Sequence, residues 1–195
     1  KKAEKNNSLA IAICLDGSIR SHRYNDRETK YDARKYGIFK IKLPPDQTKD
    51  RGYGWEIIKW IKSKTKLPII LKGILNYKDV KIAMKYGIKN IWISNHGGRM
   101  LNSGISSAEA LIKIKKKIKK KIFIIVDGGV SRGSDVIKYL CLGADLVGIG
   151  RPAIYGLTLG GCKGVNQIFK ILESEFRAAM VNAKFSSLKD LNLNK

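Results

Sequence analysis

The sequence predicts an α/β fold built on parallel strands, and three observations carry that expectation. Five short apolar runs recur along the 195 residues. Each is continuous rather than alternating, as strands buried on both faces of a parallel sheet are. Stretches with helical spacing of apolar residues separate the later runs, which gives the strand–helix repetition of βαβ units. Polar or glycine-rich residues end every run, where parallel α/β folds gather their functional groups. Two architectures meet this pattern. A doubly wound sheet can be complete with five strands, whereas a (β/α)8 barrel takes about 250 residues and eight strands.

The first run is residues 9–15 (LAIAICL). Residues 17–66 then read as a long polar excursion containing Gly and Pro, a kind of segment that often carries function. Its last part, residues 55–64 (WEIIKWIKSK), reads as a helix leading into the second run, residues 68–71 (PIIL). A helix over 76–86 follows, with Asn76 as its cap and Val80, Ala83 and Met84 on one face. The third run is residues 90–94 (NIWIS), followed by a helix over 107–119. The fourth is residues 122–126 (IFIIV), followed by a helix over 134–142, and the fifth is residues 146–149 (LVGI). Both later helices are expected to open on serine caps, with Gly87 and Gly143 as stops after the first and last helices.

A net charge of +23, from 39 Lys and Arg against 16 Asp and Glu, raises the question of a nucleic-acid partner. The lysines are spread along the chain. The densest run, residues 113–121 (KIKKKIKKK), keeps Ile114 and Ile118 on one helical face, the pattern of a solvated amphipathic helix. No nucleic-acid motif or basic–aromatic interleaving accompanies the charge, so no nucleic-acid partner is expected. No apolar stretch has the length of a membrane-spanning helix, and KKAEKNNS at the start lacks the apolar region of a secretory signal. Because the chain starts at Lys1 and not at methionine, further chain upstream is expected. Cys14, Cys141 and Cys162 lie far apart with no CxxC spacing, so neither a metal site nor a disulfide framework is expected. A reducing, cytoplasmic setting fits that usage.

The chemistry collects at the ends of the runs. The first ends in Asp16, the second in Lys72-Gly73, and the third in Ser94-Asn95-His96-Gly97-Gly98-Arg99. His96, one of two histidines, follows a buried strand among glycines. A neutral imidazole there can act as a general base, with a carboxylate such as Asp16 holding its tautomer. Arg99 has the planar fork that binds a carboxylate through two hydrogen bonds. The fourth run ends in Asp127-Gly128-Gly129 and leads through Ser131 and Arg132 into a helix. Glycines let a backbone approach a phosphate, and a helix amino terminus favours an anion. Gly150-Arg151 ends the fifth run as a second basic phosphate ligand, and phosphate sites after the last two strands recur in barrels.

Four segments, LPIILKG (67–73), SNHGGR (94–99), DGGVSRGSDVIKYLCLGAD (127–145) and IGRPAIYGL (149–157), resemble the FMN-dependent α-hydroxy-acid oxidases and dehydrogenases. The resemblance runs from about residue 9 to the end and implies a (β/α)8 barrel of which strands four to eight are present, as one domain over 1–195. It also implies FMN as cofactor and a small 2-hydroxy acid as substrate. His96 looks like the base, Asp16 its carboxylate partner, and Arg99 and Arg23 the substrate-carboxylate clamp. Lys72, Ser94 and Cys14 look like neighbours of the flavin ring. Asp127, Gly128, Gly129, Ser131, Arg132, Gly150 and Arg151 look like the rest of the cofactor site. Hydride transfer and prior carbanion formation both fit these residues. Oxygen, a quinone or a cytochrome would reoxidise the flavin, and the full-length protein is expected to be a homotetramer.

Three positions depart from the family pattern. Ser131 stands where arginine is usual, Cys14 where threonine is common, and Asn102 where an aspartate follows SNHGGRxL. The family's amino-terminal half supplies strands one to three, part of the flavin pocket and a substrate tyrosine, so this chain alone is expected to be inactive. Two rival readings are another flavin- or phosphate-binding barrel, resembling a type 2 isopentenyl-diphosphate isomerase, and a non-catalytic half-barrel.

Overall fold

In the computed structural model, which describes residues 2–17, 54–101, 103–118 and 120–191, five parallel strands form one sheet. They are β1 (Ile11–Cys14), β2 (Ile69–Ile74), β3 (Asn90–Ile93), β4 (Phe123–Val126) and β5 (Leu146–Val147), in that order across the sheet. Each strand pairs with the next in sequence, so the order never reverses. A doubly wound sheet reverses its order at a switch point. The observed order excludes it and leaves a sector of a barrel.

Helices α1 (Lys2–Lys5), α2 (Glu56–Lys64), α3 (Tyr77–Lys85), α4 (Ser107–Lys115), α5 (Gly133–Cys141) and α6 (Arg151–Asn182) accompany the strands. As expected, α2 precedes β2 and Asn76 caps α3, its Oδ1 accepting the Asp79 N–H at 2.9 Å. Val80 and Ala83 are fully buried there, with Met84 packed beside them. Other expected boundaries move. The serine that caps α4 is Ser106, accepting from the Glu109 N–H at 3.1 Å, while Ser107 is buried. Because α4 ends at Lys115, the lysine run is helical only at its start. Ile118 still reaches the core through its N–H bond to the Ile114 carbonyl, 3.1 Å long. No serine caps α5, where Asp135 takes that part.

Burial of the strands on both faces, as the continuous apolar runs implied, holds for one face. The register puts Leu71, Ile91, Ile124 and their neighbours Ile93 and Val126 on the side covered by helices, where each is 1% exposed or less. Burial of side chains of this size contributes about 1.5–3 kcal/mol each. On the other face the register aligns Cys14, Lys72, Trp92 and Ile125 across four strands, with Ile70, Asn90 and Phe123 as the next row. That is the side a closed barrel fills with layers of side chains. Here Phe123 is 43% and Leu146 52% exposed. The apolar character of this row fits a face that meets further strands, which alternation alone does not reveal.

The sequence reading placed neither the four-residue α1 nor the long α6. Helix α6 bends at Gly160-Gly161, and its first half lies so close to its second that a Cβ on Gly156 would stand 2.7 Å from the Gly164 carbonyl oxygen. The second half packs on α5, where a side chain on Gly133 would strike the Leu172 carbonyl oxygen at 2.5 Å. Glycines that dilute a helical pattern in sequence thus serve close helix packing in space. Among the described residues no helix is long and apolar enough to cross a membrane.

Candidate active site

The sheet delivers its polar tips to one end. After β3 the chain turns tightly through a 3-10 turn, His96–Gly98. Asn95 holds this turn with its side chain, Oδ1 accepting the Gly97 N–H at 3.1 Å. His96 itself adopts a left-handed backbone, φ 55°, uncommon for a residue with a side chain. The Ser94 hydroxyl braces it by accepting the His96 N–H at 3.1 Å. Strain of this kind persists where surrounding bonds over-determine it, and it clusters at functional sites.

The conformation aims the imidazole at the tip of β1. His96 Nδ1 lies 3.1 Å from Asp16 Oδ2, the pairing expected from sequence. The Asp16 side chain is 12% exposed and the His96 side chain 36%. An Nδ1–H donated to the carboxylate leaves Nε2 as the basic nitrogen. Gly73 makes room for this arrangement. A register shift in β2 gives it φ 95°, and a Cβ there would lie 2.7 Å from Asp16 Cγ. Asp16 Oδ1 is buried without a partner among the described residues, beside a cavity of about 310 Å³ that Leu75, Met100 and Ile105 also line.

Lys72 points into a larger cleft of about 490 Å³. Its ammonium donates to Ser94 Oγ at 2.9 Å, lies 3.7 Å from Asp127 Oδ2 and stands 5.5 Å from the centre of the Trp92 ring. The Ser94 hydroxyl therefore accepts from both Lys72 and the His96 backbone while being fully buried. His96, Arg99, Asp127, Gly128, Gly129 and Arg151 line the same cleft. Three fixed cations against one carboxylate make it attractive to an anion.

At its far end the cleft is floored by backbone. Gly128 and Gly129 have φ 100° and 72°. A Cβ on Gly128 would press within 3.0 Å of Ser107 Oγ and 3.1 Å of Asn95 Oδ1, whereas nothing stands within 4 Å of one on Gly129 or Gly150. The backbone at 129 and 150 is thus open to a ligand. Tyr139 of α5, buried behind the turn, donates its hydroxyl to the Gly128 carbonyl at 2.7 Å. Burial, with the negative charges of Asp127 and Asp135 nearby, raises its pKa, so it stays a donor. Arg151 reaches across the cleft to the Gly97 carbonyl at 3.4 Å, joining the anion end to the histidine turn.

Two expectations change here. The amino terminus of α5 is already occupied by carboxylates. Asp135 Oδ2 accepts the N–H groups of Ser131 and Arg132, both at 3.1 Å, and Glu175 Oε2 accepts that of Gly133 at 2.7 Å. The open backbone and the cation at this end of the cleft are thus those of the glycine turn and Arg151, while the N–H groups of that helix terminus are taken. Arg132, expected among the cofactor residues, is absent from the cleft lining, and its guanidinium lies 3.9 Å from Glu175 on the outer side. Ser131, in the place usual for arginine, does line the cleft. Cys14 is exposed on the open face of β1, paired in register with Lys72. Arg23 and Asn102 lie outside the described residues. Ser107, which accepts the Asn95 N–H at 3.3 Å, and Tyr139 were missed because each acts on a backbone group of another element, and Asn95 because its bond stays within its own turn.

Residues 1–195 match the family model described as FMN-dependent dehydrogenase. The chain belongs to this family. It is 44% identical over 143 residues to a 2-hydroxyacid oxidase of Dictyostelium discoideum, covering 73% of this chain and 37% of that protein. Against human 2-hydroxyacid oxidase 1 it is 41% identical over 209 residues, covering 97% of this chain and 56% of the relative. A crystal structure of lactate oxidase from Pediococcus acidilactici superposes with TM-score 0.86 at 37% identity, over 100% of this chain and 55% of that one. The chain thus spans about half the length of such family members, and the fold is the expected part of a barrel.

Proposed function

We propose that this chain forms the catalytic-histidine and FMN-phosphate part of an enzyme that oxidises a small L-2-hydroxy acid to the 2-oxo acid. The observation that carries this reading is the His96–Asp16 pair, 3.1 Å apart, at one end of an anion-attracting cleft with a glycine floor. The donor set fits FMN. Backbone at Gly128, Gly129 and Gly150 with the Arg151 guanidinium suits a phosphate monoester. Asp127 suits a hydroxylated chain, and Lys72 suits the end of a flavin ring that gains negative charge. When bound, FMN supplies the acceptor for the two electrons that leave the substrate.

The protein groups divide the remaining work. Arg99, together with Arg23, binds the substrate carboxylate and sets its α-carbon over the cleft. His96 Nε2 takes one of the two protons the hydroxy acid loses, and Asp16 stabilises the imidazolium that results. The buried Ser94 hydroxyl, shared between Lys72 and the His96 backbone, keeps the flavin-side cation and the base in fixed relation.

The open sheet face supports the further reading that catalysis needs the rest of the barrel, so that the full-length protein is the enzyme, as a homotetramer. Oxygen, a quinone or a cytochrome is the acceptor proposed for the reduced flavin. The wide spacing of the three cysteines, with no CxxC pair, suits a reducing compartment such as the cytoplasm; one similar protein of Arabidopsis thaliana is named a peroxisomal (S)-2-hydroxyacid oxidase. In the full-length protein, His96→Ala is expected to lower turnover about 10²–10⁴-fold, the share a general base contributes, while FMN stays bound. Steady-state kinetics with a flavin spectrum of the variant check this, and turnover within threefold of the original removes His96 from the chemistry.

A further inference from the structure

The Asp127-Gly128-Gly129 turn poses a problem that its own residues do not solve. Gly128 and Gly129 both take positive φ, and neither has a side chain to hinder rotation of the peptide plane between them. A peptide group that turns over would offer its carbonyl oxygen, and not its N–H, to whatever anion lies in the cleft. Ser107 Oγ and Asn95 Oδ1 stand 3.0 and 3.1 Å from where a Cβ on Gly128 would lie, on the side of the α-carbon and not of the peptide plane after it.

We propose that Tyr139 is the positioning residue that sets the direction of this peptide, and through it the affinity of the cleft for a phosphate monoester. The peptide bonds of the described residues are trans, so the Gly128 carbonyl and the Gly129 N–H point in opposite directions. Tyr139 lies on α5, behind the turn, and is 7% exposed. Its hydroxyl holds the Gly128 carbonyl from that side at 2.7 Å. The Gly129 N–H is thereby turned away from Tyr139, and Gly129 itself lines the cleft. Loss of the hydroxyl leaves a part-buried carbonyl without its partner, and its simplest recovery is rotation toward the cleft, where it meets water or repels an anion. Tyr139 so acts at a distance from the ligand, through one backbone plane, and this role rests on the reading of the cleft as the phosphate end of an FMN site.

Tyr139→Phe tests it, since the ring stays in the core and only the hydroxyl is lost. In the full-length protein the FMN dissociation constant is expected to rise about tenfold, or about 1.4 kcal/mol. Riboflavin, which lacks the phosphate, should bind both forms alike. Equal loss for both ligands, or for neither, overturns the proposal. A second readout needs no cofactor. In the ligand-free protein the Gly129 amide resonance should be single and sharp with tyrosine, and doubled or broadened with phenylalanine. An unchanged resonance also overturns the proposal. If the original protein binds no FMN, the functional reading fails, and the amide resonance alone decides whether Tyr139 orients the turn.

Discussion

Asp16 and His96 stand 80 positions apart in the chain and 3.1 Å apart in space. What joins them is local at each end: a register shift at Gly73 that leaves room for the carboxylate, and a left-handed backbone at His96 that aims the ring. Both residues could be singled out in the sequence because each sits at the carboxy end of a strand, where parallel α/β folds gather their functional groups. The geometry that brings them together was not legible there, since it depends on pairing between strands. Asp16→Asn is expected to reverse the imidazole tautomer, because the amide can donate to Nδ1 where the carboxylate only accepts. Ring-nitrogen NMR shifts of His96 should then report a protonated Nε2, and turnover of the full-length enzyme should fall about hundredfold or more. An Nδ1–H tautomer that persists in the variant contradicts this account of the pair. Arg132 shows the reverse situation. Its neighbours in sequence suggest an anion site, yet its guanidinium turns toward Glu175, a partner 43 positions on in a helix that the sequence did not announce.

At the scale of elements, α5 shows how a helix start can look like an anion site and be closed. Asp135 accepts two backbone N–H groups that a phosphate would otherwise compete for. Burial alone would raise its pKa, but the N–H bonds from Ser131 and Arg132, with Lys138 beside them, outweigh burial and lower it. The folded carboxyl therefore gives up its proton more readily than the unfolded one. Its stabilising contribution is whole above the ordinary aspartate range and is lost as pH falls through the lowered folded value. Asp135→Ala should cost about 1 kcal/mol at neutral pH, the usual loss for a helix cap, and less as the pH drops below that value. Urea unfolding midpoints of both forms at neutral and acid pH check this, and an equal difference at both contradicts it. The strands and the helices over α3 to α5 were readable from apolar periodicity, whereas α6 was hidden by Gly156, Gly160, Gly161 and Gly164. Gly156 and Gly164 serve a close contact between the two halves of α6 and Gly160-Gly161 form its bend, neither of which a pattern along one helix reveals.

For the whole molecule, the sequential strand order and the two unlike sheet faces carry the argument. One face is sealed by helices, while the other presents Lys72 and Trp92 beside exposed Phe123. A chain spanning about half the length of its relatives keeps the 127–129 glycine turn, Lys72 and the His96–Asp16 pair, the groups proposed to hold FMN and substrate, on contiguous units. Grouping of these functions at one end of consecutive strands is why so much of the site could be read from sequence. The most direct measurement is the visible spectrum of the full-length protein, recorded without oxygen before and after addition of L-lactate, glycolate or mandelate. The account predicts a yellow protein whose flavin absorbance bleaches with at least one of these acids. A colourless protein, or a yellow one that no 2-hydroxy acid bleaches, would contradict it.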